Sequence, residues 1–176
     1  MRRSELEHAI RAACDVAGIT EIIVIGSQAI LGQFPDAPGE LRQSREVDVF
    51  STTTPEAQEL IDGVLGELSQ FDQTYGFYVH GVGADTAILP IGWEDRLIPV
   101  SNENTRYCTG WCLEVHDLAA SKLAASREKD LEFVGALLSR GMVQPDLLAS
   151  RIDALPVDGA HREHLRRTAA GLSRRP

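Results

Sequence analysis

The first apolar pattern in the chain has helical spacing. Residues 3–17 carry apolar side chains every three or four positions: Leu6, Ile10, Ala13 and Val16. Ser4 and Glu7 match the S-x-x-E capping box, and Gly18 follows the last apolar position, so we expect a helix bounded by these residues. The next run, EIIVIG at 21–26, is short and rich in β-branched residues, which predicts a buried strand. We expect Ser27 to cap a short helix after it.

A second strand and a second helix are predicted further along. Residues 35–45 are rich in proline, glycine and charge and indicate a loop, and VDVF at 47–50 indicates a strand. Pro55 suits the first turn of a following helix. The apolar face of that helix is expected to comprise Ala57, Leu60, Ile61, Val64, Leu65 and Leu68.

The pattern changes from strands to helices near residue 117. Segments 75–82, 96–100 and 112–117 have aromatic and β-branched residues between glycine and proline breakers, which predicts three strands. Helical spacing then occupies 117–140, closed by Gly141, and continues in 145–155 and from about Asp158. This order predicts an α+β fold: a mixed sheet with flanking helices in residues 1–116, and a helical C-terminal half in 117–176.

Charge and hydropathy narrow the possible classes of protein. The 176 residues contain 17 Lys and Arg against 26 Asp and Glu, a net charge of −9, which excludes a generically basic nucleic-acid coat protein. No apolar run approaches the ~18 residues of a membrane span, and MRRSELEH lacks an apolar leader segment. We therefore expect a cytoplasmic protein without a membrane partner.

The three cysteines do not indicate a disulfide framework. Cys14, Cys108 and Cys112 are few and odd in number, so we expect reduced, partly buried thiols. Cys108, Cys112 and His116 recur every fourth residue, which raises the question of a metal site. The segments between them resemble turn and strand rather than helix, so their side chains are not expected to converge, and structural zinc usually takes four ligands.

Two neighbouring features near the predicted strands carry candidate chemistry. Gly26 and Ser27 directly follow a buried strand, where a glycine lets a phosphate approach the backbone and a helix N-terminus offers free N–H groups. Glu46 and Asp48 are two positions apart on the next strand, so both carboxylates lie on one face. Two such charges repel unless a cation lies between them, and Mg²⁺ is the usual cation for oxygen ligands and phosphates. A strand-to-helix turn and a solvated strand face are the structural alternatives.

A third feature is the charged stretch SKLAASREKDLEF in the predicted helix 117–140. Lys122 and Lys129 are seven residues apart, close to two turns, and Ser126 is expected on the same side. Cations on this side can meet a triphosphate, whereas the structural alternative is an exposed helix with i,i+4 ion pairs.

Taken together, these motifs resemble the nucleotidyltransferase superfamily, whose signature is hG[GS] after a strand and [DE]h[DE] on the next strand. The chain is similar to the AbiEii-like branch, known from toxin–antitoxin and phage-defence systems. Its R-x-T-x-D-h-D motif is matched by Arg42, Ser44, Glu46 and Asp48, with serine for threonine and glutamate for the first aspartate. Its helical motif K-x-x-A…R…R-D-L is matched by Lys122, Ala125, Arg127, Asp130 and Leu131, with Lys129 where arginine is usual.

The resemblance implies a role for each matched residue. Glu46 and Asp48 would hold Mg²⁺, with Mn²⁺ as a substitute, and Gly26 and Ser27 would contact the β- and γ-phosphates of an NTP. The remaining nucleotide-binding positions would be Arg42, Ser44, Lys122 and Arg127. Asp130 would act as a base or orient Lys122. A third carboxylate is usual in the superfamily, and Asp85 or Asp130 is the candidate here.

The acceptor of the transferred group is expected to be RNA such as tRNA. The C-terminal segment carries five arginines against one glutamate: Arg162, Arg166, Arg167, Arg174 and Arg175 against Glu163. Such a segment can dock a phosphate backbone, or it can be a solvated terminal helix. The resemblance also implies a cognate antitoxin as a partner. The alternatives are a catalytically inactive binding or regulatory protein, a protein nucleotidylyltransferase, and an unrelated α+β protein.

Overall fold

A computed structural model describes residues 1–173 and confirms the predicted α+β class. The chain divides into two compact units. The first comprises Met1–Thr86 and Leu97–Leu113 and contains the sheet, and the second comprises Ala87–Arg96 and residues 114–173. Arg174 and Arg175 of the predicted basic segment lie outside the described residues.

The first unit is built on one mixed five-stranded sheet with the strand order β3-β2-β1-β5-β4. Its strands are β1 (Glu21–Ile25), β2 (Glu46–Phe50), β3 (Tyr78–Gly81), β4 (Ile98–Val100) and β5 (Thr109–Cys112). β1 pairs antiparallel with β2 and parallel with β5, while β2 pairs parallel with β3 and β4 pairs antiparallel with β5. The central strand β1 is buried from Ile22 to Ile25, as its run of β-branched residues predicts.

The first unit has one helix before β1, one between β1 and β2, and two between β2 and β3. They are α1 (Arg3–Ala17), the short α2 (Ile30–Gln33), α3 (Ala57–Leu65) and α4 (Gln70–Tyr75), with single 3₁₀ turns at Ser27–Ala29, Gly39–Arg42 and Glu103–Thr105. α3 packs closely on β3, because a Cβ at Gly81 would lie 2.1 Å from the backbone oxygen of Gln58.

The second unit is helical. A 3₁₀ turn (Trp93–Arg96) and the helices α5 (Val115–Ala125), α6 (Glu128–Ser139), α7 (Pro145–Asp153) and α8 (Gly159–Leu172) enclose a core of leucines that includes Leu118, Leu123, Leu137, Leu148 and Leu165. The fully buried Asp117 accepts two hydrogen bonds from Arg96, at 2.7 and 2.9 Å, and pairs with Arg151 at 3.2 Å. Within residues 1–173, no helix is both long enough and apolar enough to cross a bilayer.

Helix boundaries in the N-terminal half differ from the predicted ones. α1 begins at Arg3, and Glu5 accepts the backbone N–H of Arg2, so Ser4 lies inside the first turn instead of capping it. Glu7 instead accepts from Arg3 at 3.0 Å. Ser27 is likewise the first residue of its 3₁₀ turn, which follows Gly26.

The apolar face expected for α3 is only half buried. Ala57, Ile61 and Leu65 are buried, as their spacing predicts. Leu60 and Val64 are 50% and 47% exposed, and Leu68 lies beyond the helix and is 79% exposed. A helix that packs on one side buries a narrower stripe than the six apolar positions suggested.

The long helix predicted over 117–140 is two helices. Ser126 ends α5 in the left-handed conformation at φ 53°, and α6 begins at Glu128, so Lys122 and Lys129 do not share a helix face. The strand predicted over 112–117 is also wrong beyond Cys112, because Glu114 caps α5 by accepting the backbone N–H groups of residues 116 and 117.

The expectation of three reduced thiols is wrong for two of them. Cys14 of α1 and Cys108, before β5, form a disulfide across 94 residues of sequence. Cys112 is free and buried, and burial raises the pKa of its thiol to about 12.

The cysteine and histidine residues 108, 112 and 116 do not provide a metal-ligand set. The sulfur of Cys108 is in the disulfide. The Nδ1 atom of His116 lies 2.7 Å from a carboxylate oxygen of Glu114, and its Nε2 accepts the backbone N–H of Gln144 at 3.0 Å. Both ring nitrogens are therefore engaged in holding the start of α5 and the residue before α7.

Candidate functional site

Two carboxylates project from one face of β2. Glu46 and Asp48 are partly exposed, with side chains 32% and 25% accessible, while Val47 between them is buried on the opposite face. This is the alternation that the E-V-D-V sequence predicts for a strand beside the core. The two acidic side chains therefore open to solvent from a rigid strand.

His80 joins the two carboxylates from the neighbouring strand. β3 runs parallel to β2 with Asp48 opposite His80, so the imidazole lies on the same face. Its Nδ1 atom is 2.9 Å from Oε1 of Glu46 and 3.3 Å from Oδ1 of Asp48. Candidate ligand atoms of these three residues all lie within 4.8 Å of one another. Their oxygen and nitrogen donors suit a divalent metal ion.

The negative character of this face also affects a neighbouring phenol. Tyr78 lies opposite Glu46 in the β2–β3 pairing. Burial raises the pKa of Tyr78, and the negative charges of Glu46, Glu67 and Asp48 raise it further. The two β2 carboxylates thus also act on the side chain opposite Glu46.

Gly26 closes one side of the carboxylate site. It follows β1 with φ 68° and ψ −172°, a backbone conformation that is essentially restricted to glycine. A Cβ at this position would lie 2.1 Å from Oδ2 and 3.1 Å from Cγ of Asp48. Glycine is therefore required both by the backbone and by the space that the Asp48 carboxylate occupies.

The residues around this bend are held by short-range contacts. Ser27 is partly buried as the first residue of the 3₁₀ turn, and the side-chain amide of the following Gln28 is fully buried without a hydrogen-bond partner among the described residues. The hydroxyl of Ser44 accepts a hydrogen bond from the backbone N–H of Glu46 at 3.1 Å and lies 3.3 Å from the backbone carbonyl oxygen of Glu46. Ser44 thus fixes the start of β2, directly before the carboxylates.

Arg42 and Asp85 lie outside the carboxylate cluster. Arg42 ends the 3₁₀ turn Gly39–Arg42; its carbonyl accepts a hydrogen bond from the N-terminal ammonium, and its Nε is buried with no hydrogen-bond partner within residues 1–173. Asp85 is exposed in the turn after β3. Within residues 1–173, the cluster of candidate metal ligands does not include it. The position next to Glu46 and Asp48 is instead taken by His80.

The predicted helical motif forms a charged cluster within the second unit. Nζ of Lys122 donates to Oδ1 of Asp130 at 2.9 Å and lies 4.7 Å from the centre of the Phe133 ring. Nε of Arg127 donates to Oδ2 of the same carboxylate at 2.5 Å. Asp130 is fully buried and Lys122 is nearly so, whereas the Arg127 side chain is 61% exposed.

This cluster bridges the break between α5 and α6. Lys122 lies on α5, Arg127 immediately precedes α6, and Asp130 lies in the first turn of α6. Burial raises the pKa of Asp130, but the hydrogen bonds and positive charges of Arg127 and Lys122 outweigh it and hold the pKa below its ordinary value. Asp130 is thus an ionised carboxylate that holds two cations in fixed positions.

The described part of the C-terminal basic segment is partly neutralised. Arg166 pairs with Asp153 of α7 at 2.7 Å, and Arg162 donates to the backbone oxygens of Leu155 and Val157. Arg167 is exposed on α8. Fewer of these arginines face solvent with a free charge than their number in the sequence suggests.

His80 is the member of the site that the sequence interpretation missed. The sequence predicts a strand over YGFYVHGV, but the face that His80 occupies depends on its pairing with β2, over thirty residues earlier. One signal in the sequence does point to this pairing. The segment that contains His80 follows β2 after a predicted helix, and two strands joined by a helix usually pair in parallel.

Comparisons with known proteins give a family but no close relative. No curated protein and no solved structure matches the chain. A family model described as a nucleotidyltransferase of unknown function (DUF6036) matches residues 4–166, which covers the sheet and most of the helical part. The chain therefore belongs to this nucleotidyltransferase family.

Proposed function

We propose that the protein transfers a nucleoside monophosphate from an NTP to an acceptor hydroxyl and releases pyrophosphate. The observation that carries the proposal is the pair of carboxylates on β2, held against the Gly26 bend that follows β1. In this proposal Glu46 and Asp48 hold Mg²⁺, for which Mn²⁺ can substitute. A divalent ion, when bound, neutralises charge on the phosphoryl oxygens and lowers the pKa of the attacking hydroxyl.

The residues around the carboxylates have the chemistry needed for an anionic substrate. Gly26 has no side chain to obstruct a phosphate, and we assign Gly26 and Ser27 to the β- and γ-phosphates. Ser44 contributes by fixing the backbone of Glu46. Arg42 supplies a buried guanidinium Nε without a hydrogen-bond partner within residues 1–173, and we assign it to nucleotide binding.

Lys122 and Arg127 are the proposed cations for the phosphate charge that develops during transfer. What supports this role is that Asp130 is ionised and holds the Lys122 ammonium at 2.9 Å, which limits the freedom of an otherwise flexible side chain. Asp130 is then a positioning residue. Its fully buried carboxylate is saturated by two cations and is a poor candidate for a base.

The first test is nucleotide transfer by the purified protein. Each of the four α-³²P-labelled NTPs is incubated with Mg²⁺ or Mn²⁺ and total tRNA, and the label is followed in RNA and in protein. We expect label in the RNA. Asp48→Asn is expected to lower the rate by at least ~10²–10³-fold, the scale for losing one important electrostatic contact to the transition state. Asp36→Asn, an exposed carboxylate in a turn, is the matched control and should retain activity.

The acceptor and the biological setting are the finer parts of the proposal. We propose RNA such as tRNA as the acceptor and a toxin-type role with a cognate antitoxin, on the resemblance to AbiEii-like proteins. Label in protein instead of RNA would identify a protein nucleotidylyltransferase. Growth arrest on expression of the wild-type chain, relieved by Asp48→Asn, is the expected result for a toxin; unimpaired growth would contradict that role.

The second candidate function is a nucleotide-binding regulator that does not catalyse transfer. Two observations favour it: the first acidic residue of β2 is a glutamate, and the side chain beside the pair is a histidine, whereas the superfamily resemblance implies a third carboxylate. This protein would gain thermal stability from an NTP with a divalent cation but yield no labelled product with any acceptor tested.

A further inference from the structure

We propose that His80 is the third protein ligand of the divalent cation, and that its imidazole makes the site prefer a first-row transition-metal ion over Mg²⁺. The inference rests on one part of the proposed function, namely that the cation is held between Glu46 and Asp48. It goes beyond it by adding a ligand from β3, and it replaces Mg²⁺ as the preferred ion with a first-row transition-metal ion such as Mn²⁺.

The first argument is the convergence of the donor atoms. Nδ1 of His80 lies 2.9 Å from a carboxylate oxygen of Glu46 and 3.3 Å from one of Asp48. The three side chains come from two adjacent, hydrogen-bonded strands in a fixed register, so the convergence follows from the sheet and not from flexible loops. All three side chains are partly exposed, which leaves a path for an ion and for a phosphate.

The second argument is a carboxylate on the other side of the imidazole. Oδ1 of Asp62, on α3, lies 3.9 Å from Nε2 of His80. Histidine ligands of metal ions commonly direct their second ring nitrogen to a carboxylate, which favours the proton on that nitrogen and leaves the first one to bind the ion. At 3.9 Å the Asp62 carboxylate is beyond hydrogen-bond distance, so it favours a proton on Nε2 through its charge. The helix that carries Asp62, α3, packs closely on β3 where the backbone of Gln58 meets Gly81.

The third argument concerns the kind of ion. Mg²⁺ prefers oxygen ligands in octahedral geometry and usually keeps several waters, whereas imidazole nitrogen binds transition-metal ions better. A site with two carboxylates and one imidazole therefore discriminates against Mg²⁺ more than the three-carboxylate site that the superfamily resemblance implies. We use Mn²⁺ as the probe because it is paramagnetic and takes the same carboxylate ligands.

The test measures metal binding without nucleotide. Free Mn²⁺ is quantified by electron paramagnetic resonance during titration of the full chain, and Mg²⁺ is then added as a competitor. We expect the wild-type protein to bind Mn²⁺ at least about tenfold more tightly than Mg²⁺. His80→Asp should lower this Mn²⁺-to-Mg²⁺ preference by about tenfold while keeping the site. His80→Ala should weaken Mn²⁺ binding by at least about 10–100-fold, the scale for losing an outer partner of a metal-bound histidine.

Two further variants separate a ligand role from a structural one. Asp62→Asn is expected to weaken Mn²⁺ binding less than His80→Ala, since Asp62 acts through the imidazole. His164→Asp, which introduces the same change at an exposed position on α8, should bind Mn²⁺ like the wild type. The imidazole of His80 is 43% exposed, so we expect its replacement to leave the protein folded. A circular dichroism melt of each variant checks that the variant is folded.

The outcomes distinguish this inference from the proposed function. If Asp48→Asn abolishes Mn²⁺ binding but His80→Ala and His80→Asp leave affinity and preference unchanged, His80 is not a ligand and the inference is overturned while the transferase proposal stands. If His80 behaves as expected but no NTP is ever transferred, the metal site stands and the transferase proposal fails. If the wild type binds neither ion, with or without NTP, both are wrong.

Discussion

Substitution of Gly26 by alanine tests most directly whether the Gly26 bend and the Asp48 carboxylate need to pack against each other. At φ 68° and ψ −172° an L-residue is strained, which costs about 1–3 kcal/mol. The new Cβ would lie 2.1 Å from Oδ2 and 3.1 Å from Cγ of Asp48, a clash of the kind that costs about 1–3 kcal/mol when side chains must shift. We expect Gly26→Ala to lower the free energy of unfolding by about 2–6 kcal/mol.

The same substitution should also weaken or remove metal binding, because the atoms that the new Cβ meets belong to the Asp48 carboxylate and a shift of that side chain relieves the clash. The assay combines urea denaturation with the Mn²⁺ titration. Gly18→Ala is the matched control: Gly18 also has positive φ, at 66°, but open space around its Cβ position. That variant should lose about 1–2 kcal/mol from the backbone alone and bind Mn²⁺ normally.

A double-mutant cycle isolates the contact with Asp48. Adding Asp48→Ala to Gly26→Ala removes the atoms that clash but leaves the backbone strain, so the combined loss should be smaller than the sum of the two single losses by about 1–3 kcal/mol. Additive losses, or a Gly26→Ala protein with wild-type stability and Mn²⁺ affinity, would refute the reasoning.

Two further predictions concern buried groups. Because the pKa of Asp130 in the folded protein lies below its ordinary value, its pairing stabilises the fold above about pH 4 and is lost as the pH falls through the lowered value. Asp130→Asn should lower the free energy of unfolding by about 3 kcal/mol at neutral pH. It should also reduce the loss of stability at acidic pH that is seen in melts at different pH values; an unchanged acid dependence would contradict the prediction. Cys112 should resist alkylation in the native protein at pH 8, since burial raises its pKa to about 12. Under denaturing conditions we expect one reactive thiol per chain before reduction and three after it, and three before reduction would exclude the Cys14–Cys108 disulfide.

Local patterns were sufficient for the parts of the fold that depend on neighbouring residues. The alternation around Glu46 and Asp48 predicts their common face, and the β-branched run at 21–26 predicts the buried strand that leads into Gly26. The class and the order of the main elements follow from the same periodicities, which is why the α+β architecture is confirmed.

Features that depend on distant residues could not be predicted in this way. The side of the sheet on which His80 lies is set by the register between β2 and β3, and the Cys14–Cys108 disulfide joins segments 94 residues apart. The break at Ser126 lies in a stretch with helical spacing on both sides. Serine rarely adopts the left-handed conformation, so its presence in the sequence does not predict the break. Asp130 stabilises that break through charge contacts that helix periodicity does not encode.

The register between β2 and β3 has a consequence for how the protein acquires its competence to bind a metal ion. β3 is a four-residue strand at the edge of the sheet, and a slip by one position would turn His80 away from Glu46 and Asp48. A chain with that misalignment would keep its hydrogen-bonded ladder and yet lose one donor atom. An ion that needs all three donors would bind only chains with the correct register. Its binding would therefore increase the fraction of correctly aligned chains by mass action.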